Sequence, residues 1–149
     1  MFNAKKYNEI KEKIRSKSIN SQIIAISKNH TLEAILEAIN AGVNIFGENR
    51  VLEAKSKFEK LKKTNPKLKL HLTGPLQSNK VKVAANLFDV FHTLDREKIA
   101  NEFKKHIGIL KKKEIFIQVN TGDEESKSGI RVSEVRDFKE YCMNVVNLN

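Results

Sequence analysis

The sequence predicts an α/β fold built on a parallel sheet, and three observations carry that prediction. Short apolar, β-branched runs alternate five times with stretches of helical periodicity along the 149 residues. The runs are apolar throughout, as in strands covered on both faces. The connections are short, and no linker, low-complexity tract or internal repeat divides the chain.

The elements follow in order. Residues 4–18 read as a leading amphipathic helix with Tyr7, Ile10 and Ile14 on one face. Residues 23–28 (IIAISK) read as the first strand. Thr31 offers an N-cap, Leu32, Ile35, Leu36 and Ile39 follow at helical spacing, and Gly42 closes the helix. Residues 43–47 form the second strand, and Val51, Ala54, Phe58 and Leu61 line a Lys-rich helix ending before Pro66. Residues 69–73 form the third strand, and 78–87 a helix with Val81, Ala84, Ala85 and Phe88 inward. Residues 90–94 form the fourth strand; Asp95 caps the next helix, whose inner face is Ile99, Phe103, Ile107 and Leu110. Residues 114–120 form the fifth strand, and Val135, Phe138, Cys142 and Val145 mark the last helix. Two architectures suit this order. Pattern and length favour a doubly wound sheet, because a (β/α)₈ barrel usually needs about 250 residues.

The net charge of +10 raises the question of nucleic acid. The excess is clustered in residues 1–20, 50–70 and 104–113, and it consists of 23 Lys against 5 Arg. Lys is the weaker choice for bidentate recognition of bases or phosphates, so solvated helix faces account for the charge and a nucleic-acid-binding module is the alternative. No run of 18 apolar residues marks a membrane span. The single cysteine, Cys142, permits no intrachain disulfide and sits at a packing position; the chain reads as a cytoplasmic protein. No metal-ligand spacing, phosphate loop or nucleophile elbow is present.

In either architecture ligands bind at the carboxyl ends of the strands, and all five ends are polar. Lys28 follows an apolar strand directly, so it reads either as an amine withdrawn from water, suited to a Schiff base with an aldehyde cofactor, or as a lysine snorkelling to solvent. Asn49 and Asn120 suit ligand orientation and equally suit turns. His71, in KLHLT, reads as a core histidine or a ligand contact, and His92 reads similarly; His106 reads as surface.

The segments AISKNH (25–30), FGENRVLEA (46–54), HLTGPLQSNK (71–80), FHTLDR (91–96) and IQVNTGDEESKSGI (117–130) resemble, in order, the YggS-type pyridoxal phosphate homeostasis proteins. The resemblance implies an alanine-racemase-like (β/α)₈ TIM-barrel fold with a leading helix, in place of the doubly wound sheet. It implies a protein of vitamin B6 and amino-acid homeostasis, without established turnover, that binds pyridoxal 5′-phosphate through a lysine Schiff base. Lys28 matches the cofactor lysine, Asn49 the asparagine near the cofactor, and His71 the histidine of the third-strand motif. Lys127, in the SKSG loop, is a second lysine placed to exchange the aldehyde. Implied partners are the cofactor and pyridoxal phosphate-dependent apo-enzymes, with monomers or weak dimers for full-length members. One departure is His30, where members often carry a second lysine.

Members usually run to about 220–240 residues, so 1–149 reads as a partial barrel domain with five of eight βα units, and Val-Asn-Leu-Asn at its end as the opening of a sixth strand. The resemblance places the phosphate-binding segments late in the chain, beyond this sequence. The expectation is therefore a truncated product that binds the cofactor weakly or not at all alone. A racemase-like enzyme is a further alternative.

Overall fold

The computed structural model describes residues 1–17, 20–122 and 124–148; Ser18, at the expected end of the leading helix, Ile19, Asp123, in the fifth strand-end loop, and Asn149 lie outside the described residues. The leading helix is α1 (Ala4–Arg15). Then come β1 (Ala25–Ile26), α2 (Leu32–Asn40), β2 (Ile45–Glu48), α3 (Val51–Thr64), β3 (Lys69–Leu72), α4 (Val81–Leu87) and β4 (Val90–Leu94). A 3₁₀ turn, Ser78–Lys80, leads into α4. The chain continues with α5 (Glu97–Lys105), α6 (Ile107–Leu110), β5 (Glu114–Ile117), β6 (Val119–Asn120), β7 (Ile130–Arg131) and α7 (Val135–Asn144).

Strand order decides between the two architectures. The five main strands pair in parallel in the order β1-β2-β3-β4-β5. A doubly wound sheet reverses order at a switch point; here every crossover moves one strand onward in the same direction. With right-handed crossovers, that order puts all the covering helices on one face and curls the sheet as an arc of a barrel. Burial agrees. Phe46, Leu70, Leu72 and Phe91 pack beneath Ile35, Phe58, Ala84 and Phe103 of the helices. On the other face Ile26, Thr73 and Phe116 stay exposed.

Thr31 caps α2 by accepting from the Ala34 N–H, and Gly42 leaves that helix at φ +88°. Other expectations need correction. Asp95 does not cap α5: the N-cap is Arg96, and the Asp95 carboxylate pairs with the Arg96 guanidinium, which also donates to the Leu76 carbonyl at 2.8 Å. The fifth strand changes partner part-way: β5 pairs with β4, and β6 pairs with β7. Ile10, Leu36 and Val145 are exposed; Val146 takes the buried place expected of Val145, because α7 ends at Asn144 and the chain turns back on itself. Residues 146–148 are not a strand. Asn147 takes a left-handed φ of 61°, and the Leu148 N–H donates to the Cys142 carbonyl at 3.0 Å. Cys142 is a packing residue, its thiol pushed up to about 11 by burial and then by Glu97.

Candidate functional site

The site follows from strand register. Ile26 pairs with Gly47, and Gly47 with His71, so these three form one row across β1, β2 and β3. Two residues further along each chain stand Lys28, Asn49 and Thr73. Side chains alternate with period two, and this rim therefore lies at the carboxyl end on the face opposite the helices. Hydrogen bonds carry the row past the strands: the Ser27 N–H donates to the Gly47 carbonyl and the Thr73 N–H to the Glu48 carbonyl, both at 2.9 Å.

Gly47 is the floor of the row. A Cβ there would lie 2.6 Å from Ile26 Cδ1, 3.1 Å from Ile24 Cγ2 and 3.3 Å from Thr73 Cγ2. Gly74 serves a different close approach: a Cβ on it would lie 2.4 Å from the Asn49 carbonyl oxygen, so only glycine lets the third strand-end turn press against Asn49. Asn49 Oδ1 is buried without a hydrogen-bond partner, as is His71 Nε2. Unpaired buried polar atoms are costly unless a further group satisfies them.

Lys28 is exposed on the turn after β1, in agreement with a lysine reaching solvent rather than one withdrawn from water. Its reason is local: β1 has two residues, and the chain has turned by Asn29, whose φ is 62°. His71 is buried on β3, its Nδ1 2.9 Å from His92 Nε2. Their rings stack at 5.2 Å, and His92 stacks at the same separation on Phe116, so β3, β4 and β5 lay three rings side by side. Burial, and next the neighbouring His92, hold His71 below the ordinary histidine range; burial does the same to His92, against Glu114.

Lys127 belongs to a different part of the rim. With Thr73, Gln118, Asn120 and Ser128 it lines a cavity of about 390 Å³ at the ends of β3 and β6, and its ammonium pairs with Glu124. Asn120 turns its amide inward to the Glu124 carbonyl at 2.9 Å. The structure thus brings Lys28, Asn49 and His71 onto adjoining strands, while Lys127 sits across the arc. His106 is the half-buried C-cap of α5.

Sequence reasoning missed the support behind Lys28. Glu48 is fully buried; its Oε1 accepts from Ser27 Oγ at 2.7 Å and from Lys57 Nζ at 3.0 Å. Lys57 also reaches Glu53 Oε1 at 2.6 Å and the Ser27 carbonyl at 2.9 Å. The i, i+4 spacing of Glu53 and Lys57 was a readable signal for that one pair.

Scanning against protein-family models finds no match. Among curated proteins, the chain is 42% identical over 130 residues to the pyridoxal phosphate homeostasis protein of Vibrio alginolyticus, covering 85% of this chain and 56% of that one. The namesake protein of Escherichia coli K12 is 43% identical over 120 residues, covering 78% and 50%. The chain belongs to the family of pyridoxal phosphate homeostasis proteins. It spans about half the length of the curated family members it matches. Among solved structures, PipY of Synechococcus elongatus without PLP superposes with a TM-score of 0.78 at 36% identity, covering 90% of this chain and 63% of PipY. PipY with PLP bound gives 0.75 at 33% identity, covering 91% and 63%. Alanine racemase from Acinetobacter baumannii, at 13% identity, shares the fold, with a TM-score of 0.71 over 99% of this chain and 43% of its own. The five parallel units are accordingly part of a barrel of the alanine racemase type, as the family resemblance implied.

Proposed function

We propose that this chain, as a partial barrel domain over 1–149, binds pyridoxal 5′-phosphate at the rim of β1–β3, with Lys28 as the covalent attachment point, and serves the cofactor's homeostasis. The observation that carries the reading is the rim row itself: an exposed lysine, a glycine floor and a buried, unpaired amide oxygen on adjoining strands. These residues fit the aldehyde and ring of the cofactor. The Lys28 amine supplies the nucleophile. Gly47 lets the Ile26, Ile24 and Thr73 side chains close into a flat apolar floor, and Asn49 Oδ1 offers an acceptor for a ring substituent. His71 Nε2, one row deeper, is a second free polar atom on β3. With the cofactor bound, the Lys28 amine would displace the aldehyde oxygen, which would leave as one water.

The homeostasis-protein names of the relatives and the PLP-bound PipY structure support the same reading. Lys127 is a secondary site for the aldehyde, reached along the arc past Thr73. We place the protein in the cytoplasm, passing cofactor to apo-enzymes as carrier rather than catalyst. Among the described residues, no helix is long and apolar enough to cross a membrane. The test is absorbance in the imine band on adding an excess of pyridoxal 5′-phosphate. In keeping with weak binding by a partial barrel, a faint band is expected in the native chain and is lost in Lys28→Ala; an unchanged band in Lys28→Ala contradicts the assignment.

A further inference from the structure

We infer that Glu53 and Lys57 of α3 are positioning residues for Lys28: they grip the two peptide groups that flank it. The inference rests on the reading of Lys28 just given. Lys57 Nζ donates to the carbonyl of Ser27, the residue before, at 2.9 Å. Glu53 Oε1 accepts from the N–H of Asn29, the residue after, at 2.8 Å. The two gripping groups are tied to each other at 2.6 Å. Lys57 is anchored in turn on Glu48, at 3.0 Å, and Glu48 takes the Ser27 hydroxyl at 2.7 Å.

The turn needs such a grip. The ladder between β1 and β2 covers only two residue pairs, Ala25 with Phe46 and Ile26 with Gly47. Asn29 then adopts a left-handed conformation, which asparagine tolerates better than most residues and which ends the strand at once. A bond from the Ser27 N–H to Gly47 and one from the His30 N–H to the Ser27 carbonyl, at 3.1 Å, hold the backbone from within. The side-chain bonds on the turn come from Glu48 of β2 and from Glu53 and Lys57 of α3. The Lys57 side chain is 11% exposed and Glu48 fully buried, so these charged bonds are shielded from water and salt. Lys57, and next the Asn29 N–H, hold the Glu53 carboxyl below the usual range, keeping the acceptor ionised. Fixing Ser27 and Asn29 fixes the Lys28 Cα, and with it the origin of the arm that must reach a ligand over Gly47.

The experiment uses the whole chain with pyridoxal 5′-phosphate as probe. The imine is trapped with borohydride, and tryptic peptides are mapped for label at Lys28 relative to the exposed helix lysines Lys60 and Lys104. Thermal melts set a temperature at which every variant is folded. Glu53→Ala is expected to lower relative labelling of Lys28 about tenfold, through misplacement of the amine. Glu53→Gln, whose amide oxygen still accepts from Asn29, is expected to restore it to within about twofold. Lys57→Met should move in the same direction as Glu53→Ala; should it not fold, the Glu53 pair carries the test. Labelling of Lys28 in Glu53→Ala equal to the native chain overturns the positioning role while leaving Lys28 as the attachment point. A native chain with no preference for Lys28 over Lys60 and Lys104 overturns both.

Discussion

Nδ1 of His71 lies 2.9 Å from Nε2 of His92, bringing two strands' imidazoles into one hydrogen bond on the face of the sheet away from the helices. One nitrogen donates and the other accepts, so the bond needs at least one neutral ring. Both histidines are held below their ordinary range, chiefly by burial. The unfolded chain therefore takes up protons first as pH falls. Stability from the pair is full above the unfolded value of about 6.5 and declines as pH drops toward the lower folded values. The melting temperature should fall across that interval. The double variant His71→Asn/His92→Gln should lose that step; a native chain with a flat profile from pH 7 to 5 would count against the pair.

Gly47 tests the ligand floor. Gly47→Val places new carbons against Ile26, Ile24 and Thr73, at an overpacking cost of about 1–3 kcal/mol. Gly47→Ala meets first the flexible end of Ile26, at 2.6 Å, and should be tolerated better. Denaturant melts should rank the variants native, Ala, Val, and the imine band should shrink in the same order. A Val variant with a native band would move the ligand away from this row.

The pair of Lys57 and Glu48 makes a prediction about stability alone. Lys57→Met strands the fully buried Glu48 carboxylate, at a cost of about 3–5 kcal/mol. Adding Glu48→Gln removes the stranded charge while keeping an acceptor for the Ser27 hydroxyl, and should recover more than half of that loss in chemical denaturation. Equal losses in the single and double variants would show that the carboxylate is not the source.

The repeating units were legible because each carries its own periodicity: Ile35 and Ala38 of α2, and Ile99 and Phe103 of α5, are buried as their spacing requires. The order of the strands was not, because a βα unit looks alike in a barrel and in a doubly wound sheet; only the pairing of His71 with both Gly47 and Val90 shows the arc. Lys28, Asn49 and His71 were found by family motif, and register explains why those three fall on neighbouring strands. The bond from His71 to His92 and the clasp of Glu48, Glu53 and Lys57 were out of reach, since each joins side chains that meet only after β2, β3 and α3 have packed. Of the two readings of Lys28, the exposed one holds, because β1 is four residues shorter than its apolar run of 23–28 suggested and the chain turns before the lysine.

The proposed site is tested most directly by where the cofactor attaches. With 23 lysines in the chain, reductive trapping of pyridoxal 5′-phosphate followed by peptide mapping gives a discriminating answer. The prediction is a single dominant label on Lys28, abolished by Lys28→Ala, with any second label on Lys127. Label spread over the exposed helix lysines, or dominant on another residue, would contradict it.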